Sequence, residues 1–395
     1  MTTTDQPKLE LDDDYDYADP NLIDYQGRLA PLRDTKGVAR LRVGTKAGYM
    51  LLRFNDVKNG FMDNKRFSKS LALRPVTFPV IGPNIMGYDG EEHRIKRGLV
   101  SGAFGPRTIR DAIEPLLRPV AEELVDELAP LGSTDLMNSF AKRYPLRVIT
   151  RMLGIPREDE DQMASWAHAM LRTLTDPDRA KRANDEFTRY IVPLVQKRRV
   201  EPADDLLSTI VTEQVAGQRL DDDEVYGFLR LLFPAGVDTV WLTLGSMMIA
   251  VLEHPEVHQR LLDNEEDRAR AVEETLRWES VTGTEARTTI EAVVCSGVEI
   301  PAGQLVWMSP AVANRDPLKF EDPDRWNIDR PSAQHVGFGL GSHVCLGAHL
   351  ARAELSIGLE VLLRRLPNLR MIERPPIQGT TLRGPQRLNL AWTPQ

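Results

Sequence analysis

One of only two cysteines in this 395-residue chain, Cys345, lies in the stretch Gly337 to Leu355, GFGLGSHVCLGAHLARAEL. Glycines at 337, 339, 341 and 347 frame it, and they let the backbone take positive φ and come close to a bulky ligand. The segment that follows, LGAHLARAELSIGLEVLLRRL, reads as a helix, so the cysteine stands just before a helix N-terminus. There the macrodipole and free N–H groups favour thiolate over thiol. A stabilised thiolate is a nucleophile or a metal ligand. Zinc wants about four ligands, and His343 with Cys345 is the only close pair. A phosphate loop wants G-x-G-x-x-G behind a strand, which GFGLGS does not supply. Two readings remain: an ordinary buried cysteine, the commonest fate of the residue, and haem ligation, which needs one thiolate only.

Such a loop needs a scaffold. With 42% hydrophobic and 27% charged residues the chain can bury a large globular core. Its 6% aromatic content and net charge of -8 argue against a base-stacking surface and against phosphate backbones or anionic membranes, so neither nucleic acid nor membrane is expected as a partner. Cys295 and Cys345 make no disulfide framework and fit a reducing compartment, with a cytoplasmic location expected. Residues 1–20 read as an acidic tail, a candidate for disorder, without the marks of a signal peptide. The longest apolar stretch, around Leu244 to Leu252, falls short of the roughly 18 residues of a membrane span. VARLRV and GYMLLRF alternate like a hairpin around GTKAG, and NDVKNGFMD opens with a helix N-cap signal. From about Asp89 to Ser280 apolar residues recur at helical spacing; strand-like pieces return in EAVVCSGVEIPAGQLVWMS, followed by the coil NRDPLKFEDPDRWNIDRP. No interior segment is polar enough to divide the chain, so the expectation is one domain over 1–395, mainly α with small β-sheets. One helix of roughly 45 Å spans about Asp222 to Glu253, and Leu231, Pro234, Ala235, Asp238, Thr239 and Leu242 share a face of it.

Taken as a unit, Phe338-Gly339-Leu340-Gly341-Ser342-His343-Val344-Cys345-Leu346-Gly347 resembles the haem-binding signature of the cytochrome P450 family, F-x-x-G-x-x-x-C-x-G. EEHRIKR, AGVDTV, EETLR, TEAR and DPDRW resemble further family elements in the same chain order. The resemblance implies a single-domain fold with a long central helix crossing over the haem. It implies haem b (iron protoporphyrin IX) on the Cys345 thiolate, with Phe338 near the sulfur, Gly339 in the loop and Gly347 leaving room for the porphyrin edge. The propionate partners it implies are His93 and Arg97, four apart on one helix, Arg287 and His343; Glu274, Arg277 and Arg325 match a structural triad. In PAGVDTV, Ala235 and Gly236 match a small-residue gap for dioxygen, Asp238 an acid open to solvent protons, and Thr239 an alcohol for the distal oxygen or a water; Pro234 adds a kink.

The activity implied is that of a haem-thiolate monooxygenase using O2, with a haem-thiolate peroxygenase or a non-catalytic haem-based ligand binder as the alternatives. The Asp238-Thr239 pair speaks against both, since neither needs a proton relay for dioxygen. Electrons are expected from a ferredoxin with its NAD(P)H-dependent reductase, docking on a basic patch of Arg94, Lys96, Arg107 and Arg352. Candidate substrate contacts are Val281, Thr282, Gly283 and Thr284, small or polar, beside the haem. Opposite them a Pro-broken apolar loop supplies Leu73, Val76, Phe78, Val80 and Ile85, with Leu231 and Pro234 on the long helix and Ile377 and Thr380 in the last turn. Such a set suits a small-to-medium lipophilic molecule, a terpenoid or steroid.

Overall fold

Alternation of apolar and charged residues makes Val38–Val43 a strand, and it returns antiparallel as Lys46–Leu51, with Val38 opposite Leu51 and Val43 opposite Lys46. The computed structural model in which this is seen describes residues 9–12, 15–170, 176–331 and 334–395. The chain forms two compact units, each discontinuous in sequence. The first draws on the chain up to Leu73, on Glu273–Cys345 and on Pro375–Gln386; the second draws on Arg74–Val272, Leu346–Arg374 and Arg387–Gln395.

The first unit holds a six-stranded sheet in the order Leu11–Asp12, Val38–Val43, Lys46–Leu51, Leu305–Met308, Glu285–Thr289, Phe67–Ser68. Arg287 lies opposite Val306, and Ser68 lies opposite Thr288 at the edge. Because strand side chains alternate, Glu285 and Arg287 share a face, and Lys69 leaves the edge strand beside them. Val38, Leu51, Phe54, Phe61, Val306 and Met308 pack as one core. Helix Phe54–Met62 starts one residue before the sequence signal at Asn55, because the Phe54 N–H donates to the Asp316 carboxylate, 2.9 Å away, a partner brought in from far along the chain. The Pro-broken loop expected over residues 71–86 is instead largely helix, Lys69–Ile81, running through Pro75 and Pro79. The carbonyls these prolines leave without donors belong to Leu71 and Pro75, both exposed, where water can serve them.

The second unit is built around the helix Asp222–Glu253, packed by Arg143–Met152, Pro177–Val200 and Ala348–Arg365. It starts on a capping box: Asp221 Oδ1 accepts the Glu224 N–H at 2.8 Å, and Glu224 Oε2 accepts the Asp221 N–H at 3.1 Å. The helix runs without interruption through Pro234. It is long and apolar enough by composition to cross a membrane, which the sequence reading had not given it; 72% of its most apolar window is buried, as in a core helix.

Candidate active site

Gly339 and Gly341 take φ of 66° and 72°, the left-handed turn that GFGLGS needs. The turn brings the Cys345 N–H to the Phe338 carbonyl, 2.8 Å, and leaves the thiol exposed. Gly347 has φ -84°, so its use is not conformational; nothing lies within 4 Å of where its Cβ would be. The base of the loop is fixed by residues the sequence reading did not single out. Val336 N–H donates to Asn314 Oδ1 (2.9 Å), whose amide donates to Ser280 Oγ (2.7 Å). Gly337 N–H donates to His335 Nδ1 (3.0 Å), which puts the His335 proton on Nε2, facing Glu273 at 3.1 Å. Cys295 is different in kind: burial, aided by Asp56, pushes its thiol up to about 12.

Beneath the loop, Arg277 uses all five of its N–H donors. It pairs with both oxygens of Glu274 at 2.8 Å and donates to the carbonyls of Asn314 (3.0 Å), Pro323 (2.7 Å) and Arg325 (3.1 Å). The second cation on Glu274 is Arg330, at 3.2 Å, and not the expected Arg325, whose side chain is exposed and which offers only its carbonyl. The chain reverses between the two arginines, so the later one turns inward.

A second buried charge cluster was missed in part. Lys69 Nζ lies 3.2 Å from Glu285 Oε2, and Arg287 Nη1 lies 3.3 Å from the same oxygen. Burial would raise the Glu285 carboxyl, but Lys69 and Arg287 outweigh it and hold it at about 2. Burial pulls Lys69 down; Glu285 and, more weakly, Cys345 pull it back towards the charged form. Two cations and one carboxylate leave one positive charge in excess. Arg287, only 1% exposed, has an Nε without a hydrogen-bond partner. An anionic group with oxygen acceptors, such as a haem propionate, fits this set, and the space over Gly347 fits a porphyrin edge. His93 is buried and Arg97 half-buried one turn apart on the helix Gly90–Ser101, and His343 is half-buried in the cysteine loop.

In the long helix, Ala235 is exposed, and Pro234, Gly236, Asp238 and Thr239 are half-buried, whereas Val240 to Val251 are buried throughout. The helix is therefore open on one face at mid-length. Thr239 Oγ1 donates to the Ala235 carbonyl (2.8 Å), and Trp241 Nε1 donates to Asp238 Oδ1 (2.8 Å). Gly236 does not contribute to the gap: a Cβ there would stand 2.4 Å from Ile149 Cδ1, so its missing side chain serves the approach of the neighbouring helix Arg143–Met152.

The substrate candidates divide. Val281 to Thr284 are stitched to the last turn, Thr282 bridging Leu382 and the Gly283 N–H donating to the Thr381 carbonyl at 3.0 Å. A Cβ on Gly283 would lie 1.7 Å from the Thr380 carbonyl, so Gly283 is a packing position and not pocket wall; Thr284 and Thr380 are buried too, and Ile377 is half-buried. Phe78 lies edge-on to Tyr88 at 5.5 Å, under Arg74, and covers Gly87. Val76 is exposed, Leu73, Val80 and Ile85 half-buried. Arg230 of the long helix donates to the Ile81 carbonyl at 2.9 Å, which brings the end of that segment to the helix one turn before Pro234; Leu231 beside it is buried. Of the basic patch, Arg94 and Arg107 are exposed, each beside an acid of its own segment, Glu91 at 2.5 Å and Asp111 at 3.4 Å, and Arg352 is half-buried. Lys96 must be removed from it, because its ammonium is half-buried and turned onto Glu224 at 2.6 Å, at the start of the long helix.

Comparison with known proteins agrees with this geometry. The sequence model described as Cytochrome P450 matches residues 161–382. The chain is 35% identical over 392 residues to a mycinamicin IV hydroxylase/epoxidase of Micromonospora griseorubida, covering 96% of this chain and 98% of the relative. It is 32% identical over 321 residues to a steroid C26-monooxygenase of Mycolicibacterium smegmatis, covering 79% and 80%. Among solved structures, the Bacillus subtilis 168 bacillaene polyketide synthase cytochrome P450 PksS superposes with a TM-score of 0.87 at 33% identity, covering 94% of this chain and 97% of that one.

Proposed function

The chain belongs to the cytochrome P450 family and is a haem-thiolate monooxygenase, and on that premise we propose that it oxidises a compact lipophilic molecule of the terpenoid or steroid class, in the cytoplasm, with electrons from a ferredoxin and its NAD(P)H-dependent reductase. The observation that carries the substrate class is the opening at mid-length of the long helix, where Pro234 and Ala235 supply apolar surface and Asp238 and Thr239 two polar groups. Apolar walls with a few convergent polar groups select lipophilic ligands. The activity named for the Mycolicibacterium smegmatis relative supports the same class.

Haem b, when bound, supplies the iron at which dioxygen is activated, with Cys345 as its thiolate ligand. Lys69 and Arg287 would hold a carboxylate of it, and the family resemblance gives His93, Arg97 and His343 the same role. Thr239 spends its proton on the Ala235 carbonyl and keeps both lone pairs of Oγ1 to accept a hydrogen bond. Asp238 takes protons from solvent and passes them inward. Arg94 and Arg107, with Arg352, present charge to an acidic electron donor.

The test has two parts. The reduced, carbon-monoxide-treated protein gives a red-shifted Soret band that Cys345→Ala abolishes and Cys295→Ala leaves unchanged. A spectral-shift screen with steroids, terpenoids and mycinamicin IV then gives the strongest displacement with a steroid or terpenoid. Shifts from mycinamicin IV or strongly polar compounds alone overturn the substrate class.

A further inference from the structure

We propose that Trp241 is a positioning residue for proton delivery, its indole N–H holding the Asp238 carboxylate in the orientation from which it serves the oxygen site. The proposal rests on the reading of Asp238 as the acid that carries protons to that site.

Asp238 and Trp241 are three apart on one helix and so are neighbours on its surface. The 2.8 Å bond from Nε1 to Oδ1 fixes one carboxylate oxygen. Trp241 is only 5% exposed, so packing locks the rotamer of the donor. Its ring face is covered by the Lys142 ammonium, 4.8 Å from the centroid, which is itself tethered to Asn138 Oδ1 at 2.8 Å. A cation on the π face draws electron density from the indole and sharpens Nε1–H as a donor. The donor is neutral and does not titrate, so it orients the carboxylate and favours its charged form less than a charge-assisted bond would. A tryptophan serving only as core filler would lose nothing when its N–H is removed and its ring kept.

Trp241→Phe removes the N–H and with it the five-membered ring, so the packing it loses at this buried position is read separately, from the melting temperature. In the holoenzyme, driven by a plant-type ferredoxin and its reductase without added substrate, electrons reaching dioxygen are partitioned between peroxide and water. The expected result is an unchanged reduced carbon-monoxide spectrum, a peroxide-to-water ratio raised about fivefold, the size of one lost neutral hydrogen bond, and an altered solvent isotope effect on oxygen uptake. Asp238→Asn raises the ratio further, and Trp241→Phe adds nothing on top of it. If Asp238→Asn raises the ratio and Trp241→Phe does not, the role of Trp241 is overturned while that of Asp238 stands. If Asp238→Asn leaves it unchanged, both fall. Ultraviolet resonance Raman gives a readout that needs no turnover and no Trp241 variant: Asp238→Ala shifts one indole N–H band from bonded to free, and an unshifted spectrum overturns the geometry.

Discussion

Lys69 shows how a single side chain is made part of a site by its surroundings. It is buried, it faces Glu285 and Arg287, and it adds the positive charge that remains when those two have paired. Lys69→Met should therefore speed transfer of haem to an apo-acceptor and lower the midpoint potential of the iron, since a buried cation favours the added electron. Glu285 gives the matching pH dependence. Its carboxyl is held at about 2, below the ordinary range near 4.5, so the stabilisation it provides is complete above that range and is lost as pH falls towards 2. Melting temperature followed against pH should show this acid limb in the native protein and not in Glu285→Gln. Cys345 and its glycines were legible in the sequence because the whole signal is local, ten consecutive residues. Lys69 was not, because its partners are reached only through the pairing of Ser68 with Thr288, a register that no short pattern announces.

Among the elements, the coil between Asn314 and Arg330 shows what periodicity can and cannot tell. Glu274 and Arg277 were legible as an i,i+3 pair on a helix, but the choice between Arg325 and Arg330 depends on how the coil reverses. Arg330 donates to Glu274 and to the carbonyls of Glu321, Asp322 and Arg325. Arg330→Ala should cost about 2 kcal/mol, as expected when bonds to and from charged groups are lost. Arg325→Ala should change stability by less than about 0.5 kcal/mol, as an exposed site does. Urea unfolding of both variants decides it, and equal effects would refute the assignment. The segment after Lys69 misled for the opposite reason: Pro75 and Pro79 argued for a loop, but prolines on the water side of a helix leave only carbonyls that water can satisfy. Gly236 and Gly283 misled because a glycine beside a pocket and a glycine pressed against a neighbouring chain look alike in sequence; Ile149 and the Thr380 carbonyl distinguish them.

For the whole molecule, a net charge of -8 sets the background against which a few exposed cations must guide an acidic partner. Arg94→Ala with Arg107→Ala should slow reduction by ferredoxin at low salt and leave it unchanged above about 0.5 M, where screening has already removed the attraction. Equal rates at low salt would show that the partner docks elsewhere. The overall class, mainly α with small sheets, followed from the run of helical spacing between strand-like ends, but the division of the chain did not. The first unit draws on three separated stretches, and this bears on how the protein is born. The hairpin Val38–Val43 and Lys46–Leu51 leaves the ribosome early, yet the strand that completes its open side, Leu305–Met308, is made some 250 residues later. At about 5–20 residues per second that interval is on the order of ten seconds to a minute. Throughout it the nascent chain carries a bare strand edge, the surface on which chains stick to one another, so co-production with a chaperone that shields it should raise the yield of active protein without changing the stability of the finished fold.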